Sequence, residues 1–519
     1  MENKNEVSYL KNTRCADVYT ESQTDYILPD YMGDMRKILF TDATLRPSGR
    51  FAGGDEVEFS GVVVYNLIYL DSEGELSSVE FSSDYDYSVK CSGESYSDSI
   101  ADTRVANYAV RLVGPRKISA KASLVGSVCL CESCSISVSG DAFDGESSPE
   151  VNTGSLSLRR SAVSSVSERE YAECVARLDG AIADEVRVIY PNVEVMVDEL
   201  HSEDDAVSIK GRLRMSALIK NAQEPVRVAE KLVSFDERLD FEGVGRLGSL
   251  LPKLSVCSVK ATVNADESGC EVVMSGIVEL CVVGEGNQAV DILLDGYLKD
   301  APTEARFDEM KYSTLADVVR FKETHTTEIG CSELELEGIG ELVFLSSIPK
   351  IERVECDGNA VTIEGEVRYS GVAGETVGDK NSYTSVRFSA PFSLKTDVKC
   401  QNPDNLRIEA ELRSLNTTAS LESDRIFATA TLECSVVALE DSSISLLSSL
   451  SRREGESYEA AGSVVTVYYP TDGDTLFSVA KQYHTSSLKL AKDNDITDAV
   501  FSADNKNGSL SGIKKLIIF

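Results

Sequence analysis

The sequence predicts a mainly β protein: three repeated antiparallel, β-sandwich-like domains followed by a small strand–helix–helix–strand unit. Three observations predict it. Across 25–447, apolar residues mostly alternate with polar ones in short runs separated by Gly, Asp, Ser and Asn, which is the period of strands with one buried face. One motif, Val57-Glu58-Phe59-Ser60-Gly61, returns as Val207-Ser208-Ile209-Lys210-Gly211 and as Val361-Thr362-Ile363-Glu364-Gly365, about 150 residues apart each time. A helical period of apolar residues stands out in 464–519.

In chain order, 1–24 reads as a loose, polar lead-in. Asp25-Tyr26-Ile27-Leu28-Pro29-Asp30 is extended, and 34–39 is a short helical turn or a new strand. Each copy of the motif leads into a second strand-like run, at 62–70, 212–220 and 366–373. Val79, Phe81, Tyr85 and Tyr87 then correspond to Val233, Phe235, Leu239 and Phe241, and to Val386, Phe388, Phe392 and Leu394. Their even spacings predict that the four side chains of each copy share one strand face. Runs at 118–130, 270–283 and 425–439 fill equivalent later places. The domain boundaries that follow are 25–165, 166–315 and 316–448. Each domain is long enough to bury its own core, which predicts a chain of domains rather than a solenoid of small repeats. The Ser-, Gly- and Glu-rich stretch 141–170 reads as a loop or linker, and 441–463 as a tether whose linker proper is 449–463.

In the final unit, 464–519, Val464, Thr466 and Tyr468 alternate with Val465 and Val467 as a short strand, which Pro470, Asp472 and Gly473 break. Asp474 or Thr475 caps a helix, since either side chain accepts from the free N–H groups of a first turn. Leu476, Val479, Ala480 and Tyr483 give that helix one apolar face. Thr485 or Ser486 caps a second helix that carries Leu488, Leu490 and Ala491 and ends near Asn494; after a polar loop, 516–519 forms a second strand.

This unit resembles the LysM module, a small carbohydrate-binding domain common in cell-wall and spore proteins. The residues that carry the resemblance are Gly473-Asp474-Thr475-Leu476-Phe477, Val479-Ala480, Tyr483, Thr485, Leu490, Asn494 and the closing 512–518. The β-rich part resembles the SPOCS domain, the repeated spore-coat-associated domain of endospore-forming Firmicutes. Here the carriers are Leu28-Pro29-Asp30, Asp34 with 36–39, the Val57 to Gly61 motif, Tyr65-Asn66-Leu67-Ile68-Tyr69-Leu70-Asp71 with Gly74, and Phe81 with Tyr85. SPOCS repeats followed by a terminal LysM module are similar to spore-coat assembly (morphogenetic) proteins of the SipL type. In that family the LysM module docks on the ATPase that polymerises over the forespore as the basement layer of the coat.

The resemblance implies a binding groove made of two loops: Gly473, Asp474, Thr475, Leu476 and Phe477 in one, Asn494, Ile496 and Thr497 in the other. In carbohydrate-binding members these loops lie side by side and hold N-acetylglucosamine units. Read without the family, Leu476 is core and Asp474 and Thr475 are caps, and the groove serves a protein or nothing. The implied partners are the coat basement-layer ATPase and other spore coat proteins, with peptidoglycan or another N-acetylglucosamine polymer as the alternative. The implied location is the mother-cell cytoplasm at the forespore surface.

Composition narrows the function classes. A net charge of −35 argues against a nucleic-acid backbone or an anionic membrane as partner. In 464–519 lysines and aspartates balance, so the acidic excess lies before that unit. The first residues have no apolar signal region, and no run is long enough for a membrane span, so a soluble protein without membrane insertion is expected. The 13 scattered Cys suit reduced thiols better than a disulfide frame.

Nucleophile elbows, phosphate loops and zinc-helix motifs are missing, and 86 carboxylates make chance pairs inevitable. The expectation is therefore a protein that is not an enzyme, with no catalytic residues, no cofactor and no metal. Wall lysis, with a LysM module as anchor, is the reading that this absence weighs against. Cys129, Cys131 and Cys134 have thiolate-pair spacing, but alternation predicts small hydrophobes on a strand face. His484 is placed to pair with the end of the first helix, and His201 and His325 lie in exposed-looking polar stretches.

Overall fold

A computed structural model describes residues 6–14, 17–53, 56–90, 96–140, 143, 149–221, 224–265, 267–336, 338–377, 380–454, 458, 465–496 and 510–519. The protein is mainly β, and its named strands all pair antiparallel. The first body holds β1 Glu6–Arg14, β2 Val18–Ile27, β3 Met35–Gly53, β4 Glu56–Asp71, β5 Leu76–Lys90, β6 Tyr96–Gly114 and β7 Lys117–Ser137. The second holds β8 Glu150–Val163, β9 Ser167–Asp179, β10 Val186–Glu203, β11 Ala206–Asn221, β12 Glu224–Asp240, β13 Ser249–Ala265 and β14 Gly269–Tyr297. The third holds β15 Thr303–Gly330, β16 Ile339–Asp357, β17 Ala360–Val377, β18 Lys380–Asp397, β19 Leu406–Glu422 and β20 Arg425–Arg452.

In every body the glycine motif lies in the central strand of a three-stranded sheet: β3-β4-β5, β10-β11-β12 and β16-β17-β18. A second sheet is built on one long strand, β7, β14 or β20, and these strands contain the runs expected at 118–130, 270–283 and 425–439. The core lies between the two sheets. In the first body Val63 and Tyr65 pack with Ala120 and Leu124, in the second Ile209 and Leu213 with Met274 and Val278, and in the third Ile363 and Val367 with Ala428 and Leu432. Alternation explains the partition, because each strand sends every second side chain inward. The expected face-sharing quartets are found: Val79, Phe81, Tyr85 and Tyr87 are all buried, as are Phe235, Leu239 and Phe241, and Val386, Phe392 and Leu394; Val233 and Phe388 are half-buried.

The motif and the run after it form one strand, not two. Gly61, Gly211 and Gly365 sit mid-strand where the preceding strand bulges, at Pro47/Gly49, Val197/Glu199 and Ile351/Arg353. On the other side Tyr85, Phe235 and Phe392 stand directly opposite. A Cβ at any of the three glycines would overlap that ring and the carbonyl oxygen of Arg46, Met196 or Lys350. Glycine is thus required by close approach, and an alternating strand continues through it.

Four boundary expectations are corrected. The lead-in contains β1 and β2, which pair with β7. Within 141–170 lies β8, paired with β14; its Leu156 and Leu158 are buried, an alternation that its Ser and Gly content obscures. β20 continues to Arg452, and Leu446, Leu447 and Leu450 are buried, so 441–452 of the expected tether is strand. The boundary placed at 315/316 falls inside β15, because one long strand spans the whole ladder along β20. In each body the first paired residue faces the last: Glu6 opposite Ser137, Glu150 opposite Tyr297, Thr303 opposite Arg452.

The bodies are not beads on a string. Phe40 of β3, Tyr190 of β10 and Phe344 of β16 meet, with ring centroids 5.4 Å apart for Phe40–Tyr190, 5.0 Å for Phe40–Phe344 and 5.8 Å for Tyr190–Phe344. Each follows a bulge in the opening strand of its sheet and stands opposite Ile68, Leu218 or Val372. These three join the same shared apolar cluster. Between the second and third bodies, Arg159 binds the buried Glu285 at 2.8 Å and lies 3.5 Å from Glu409. Among the described residues no helix is long and apolar enough to cross a membrane.

Candidate functional site

The C-terminal unit consists of β21 Thr466–Tyr468, α1 Leu476–Gln482, α2 Ser487–Asp493 and β22 Leu516–Ile518, with β21 and β22 paired antiparallel. Leu476, Val479, Ala480, Leu490, Ala491, Leu516 and Ile518 form its core. Tyr468 and Tyr483 meet edge-on at 5.8 Å beside it.

The residues that the sequence placed in a groove have identifiable structural partners here. Gly473, with φ at 95°, makes the left-handed turn before α1. Asp474 Oδ2 accepts from the Thr471 backbone N–H (2.7 Å), the Tyr468 hydroxyl (2.8 Å) and the Thr471 hydroxyl (3.0 Å). Those donors hold the carboxyl below its ordinary pKa, the backbone N–H most of all. Thr475 is the cap of α1: its hydroxyl accepts from the Ser478 N–H at 3.0 Å, and its own N–H donates to the Ser478 hydroxyl at 2.9 Å. Leu476 is fully buried, and Phe477 is 7% exposed.

Asn494 ties α2 to β22. Its Nδ2 donates to the carbonyls of Leu490 (2.9 Å) and Ile517 (2.8 Å), and its Oδ1 accepts from the Ile517 N–H. Ile496 packs half-buried against the core, and Thr497 lies outside the described residues. The Leu510 N–H donates to the Asp474 carbonyl at 3.2 Å, which brings the end of the second loop against the first.

Three details of this unit differ from expectation. Ser486 holds the cap position of α2 without a side-chain cap bond, and Leu488, 72% exposed, points away from the core. The ring of His484 stacks on Tyr458 with centroids 3.6 Å apart instead of capping α1, and burial lowers its pKa.

A second set of residues carries no signal in the sequence. Tyr297, at the end of β14, is 2% exposed; its hydroxyl donates to the Thr485 carbonyl at 2.7 Å, and its ring meets Phe477 edge-on at 5.3 Å. Asp295, two residues earlier, receives Lys481 Nζ on both carboxylate oxygens, at 2.7 and 2.6 Å. Only the one-turn spacing of Phe477 and Lys481 marked a shared helix face, and nothing marked what covers it.

Elsewhere, a cleft of about 600 Å³ opens between the three bodies. Its charged walls pair among themselves, Lys253 with Glu411 and Arg413 with Glu433. Among the described residues, Glu168, Cys257 and Glu279 place ligand atoms within 4.8 Å of one another. Burial, more than the neighbouring carboxylates, raises the Cys257 thiol and keeps it protonated at neutral pH. His325 is half-buried, in reach of the Tyr369 hydroxyl (2.9 Å) and the Pro391 carbonyl (3.1 Å), whereas His201 is exposed beside Glu199. Cys129, Cys131 and Cys134 lie in β7, with their side chains outside those described. No family model matches the chain, and no curated protein matches it.

Proposed function

We propose that this chain is a non-enzymatic spore coat assembly protein: three acidic SPOCS-like β domains carrying a LysM-like head that docks on the basement-layer ATPase of the coat. One observation carries the reading: a strand–helix–helix–strand unit containing Gly473 to Phe477 follows three bodies whose motif glycines share one register environment. The two resemblances support each other, since each is expected where the other occurs. A small charge-balanced head on a strongly acidic body can approach an acidic assembly without the repulsion that the body would meet. Other coat proteins would bind the β bodies, and linked weak contacts would add through their tether. The protein would work in the mother-cell cytoplasm, at the forespore surface.

The second reading, recognition of peptidoglycan or another N-acetylglucosamine polymer, is favoured by the bond from Leu510 to Asp474 that draws the two loops together. A fluorescent fusion in a sporulating cell, combined with co-purification of the full chain and the coat ATPase, tests the first reading. A ring around the forespore and capture of the ATPase support it. A vegetative-wall signal, or retention on peptidoglycan without the ATPase, gives the function to the second.

A further inference from the structure

The face that the C-terminal unit turns toward β14 carries Phe477 and Lys481 of α1 and the Thr485 carbonyl in the turn that follows it. Each meets a specific complement: an aromatic edge, a carboxylate and a hydroxyl donor. All three complements come from Asp295 and Tyr297, alternate residues at the end of one strand, just past a register shift between Leu293 and Asp295. Alternate residues of a strand point to one side, so a single extended segment supplies the whole set. We propose that this face is a docking site for an extended acidic–aromatic protein segment, Asp-x-Tyr in pattern, and that the chain's own Asp295-Gly296-Tyr297 occupies it until a partner segment of the same chemistry displaces it.

The inference rests on the reading of the unit as a recognition head and adds how that head is regulated and what it recognises. The internal segment is covalently attached, so it outcompetes a free ligand until the partner is abundant or multivalent. If the docked form makes up about 90–99% of molecules, the apparent affinity for a partner falls about tenfold to a hundredfold below that of the released head. His484 stacked on Tyr458 holds the same side of the unit against the residues that follow β20.

The test uses the full chain and a fluorescent peptide of residues 290–299 as probe. In Asp295→Asn and Tyr297→Phe, amide exchange across α1 should rise and the peptide should bind at least tenfold more tightly than to the unaltered chain. The double variant Asp295→Lys with Lys481→Asp should restore protection, an outcome that misfolding would not produce. Increased exchange without tighter peptide binding overturns the inference, and so does unchanged exchange in both single variants. Binding of the coat ATPase is measured in parallel. If the peptide responds and the ATPase does not bind, the assembly reading fails while the docking site stands. If the ATPase binds and the peptide result is negative, the docking inference alone fails.

Discussion

Phe344 meets Phe40 edge-on at 5.0 Å, and the two rings hold the same position in their sheets, each just after a bulge in the opening strand and opposite an apolar residue of the central strand. Tyr190 is the third such residue and touches both. A position repeated along the chain thus becomes the point where the three bodies join. It is also where cooperativity between them should be decided.

Phe40 is 1% exposed, so Phe40→Ala removes a buried ring and leaves a cavity, at a cost of about 3–5 kcal/mol. The loss falls on the junction and not within one body's core. Calorimetry should therefore show the melt separating into more than one transition. A single transition merely shifted downward would show that the polar contacts between bodies, such as Arg159 with Glu409, suffice to couple them.

Alanine at Gly61, Gly211 or Gly365 should destabilise by a similar amount in each case, roughly 1–3 kcal/mol or more, because the added carbon meets both a ring and a backbone oxygen. Gly245→Ala is the control, since nothing lies within 4 Å of its would-be Cβ. Urea melts of the four variants measure this. Three unequal costs would mean that the three environments differ in how far they relax.

Asn494→Ala removes three hydrogen bonds, two to Ile517 of β22 and one to Leu490 of α2, a loss of about 2–3 kcal/mol at the usual value per bond. The signature is faster amide exchange at Ile517. Any accompanying loss of ligand binding would then follow from loosening of the fold, which a variant limited to ligand contact would not show.

Asp42 accepts from the Tyr190 hydroxyl at 3.3 Å, and burial at the junction raises its pKa. A carboxyl raised in the folded state contributes fully below its ordinary value near 3.8, and that contribution is lost as pH rises through the folded pKa. Asp42→Asn keeps an acceptor for Tyr190 and removes the half-buried charge at the junction. It should melt higher than the unaltered protein at pH 7, with the difference closing in acid. A gain that persists unchanged at low pH would assign the effect to packing.

The strands, the glycine motif and the face-sharing aromatics were legible because burial on one side of a sheet leaves a period of two in the sequence. Thr475 as cap, and Leu476 and Val479 as core, were legible because helix caps and helical spacing are local. The strand β8 was missed because its serines and glycine resemble a linker, although Leu156 and Leu158 keep the alternation. Phe40, Tyr190 and Tyr297 carry no distinguishing signal in the sequence: contacts between bodies follow from three-dimensional placement and impose no spacing along the chain. Asn494 entered the groove through the LysM resemblance, and its hold on β22 left no mark, because an amide after a helix gives no hint of the strand it will bind.

The pairing of Glu6 with Ser137, Glu150 with Tyr297 and Thr303 with Arg452 means that each body begins and ends at one spot. A module with adjoining termini can be copied, inserted or deleted in frame without rethreading its neighbours. The number of bodies is therefore open to change by gene duplication, and what limits it is whether one more aromatic ring can find room where Phe40, Tyr190 and Phe344 already meet.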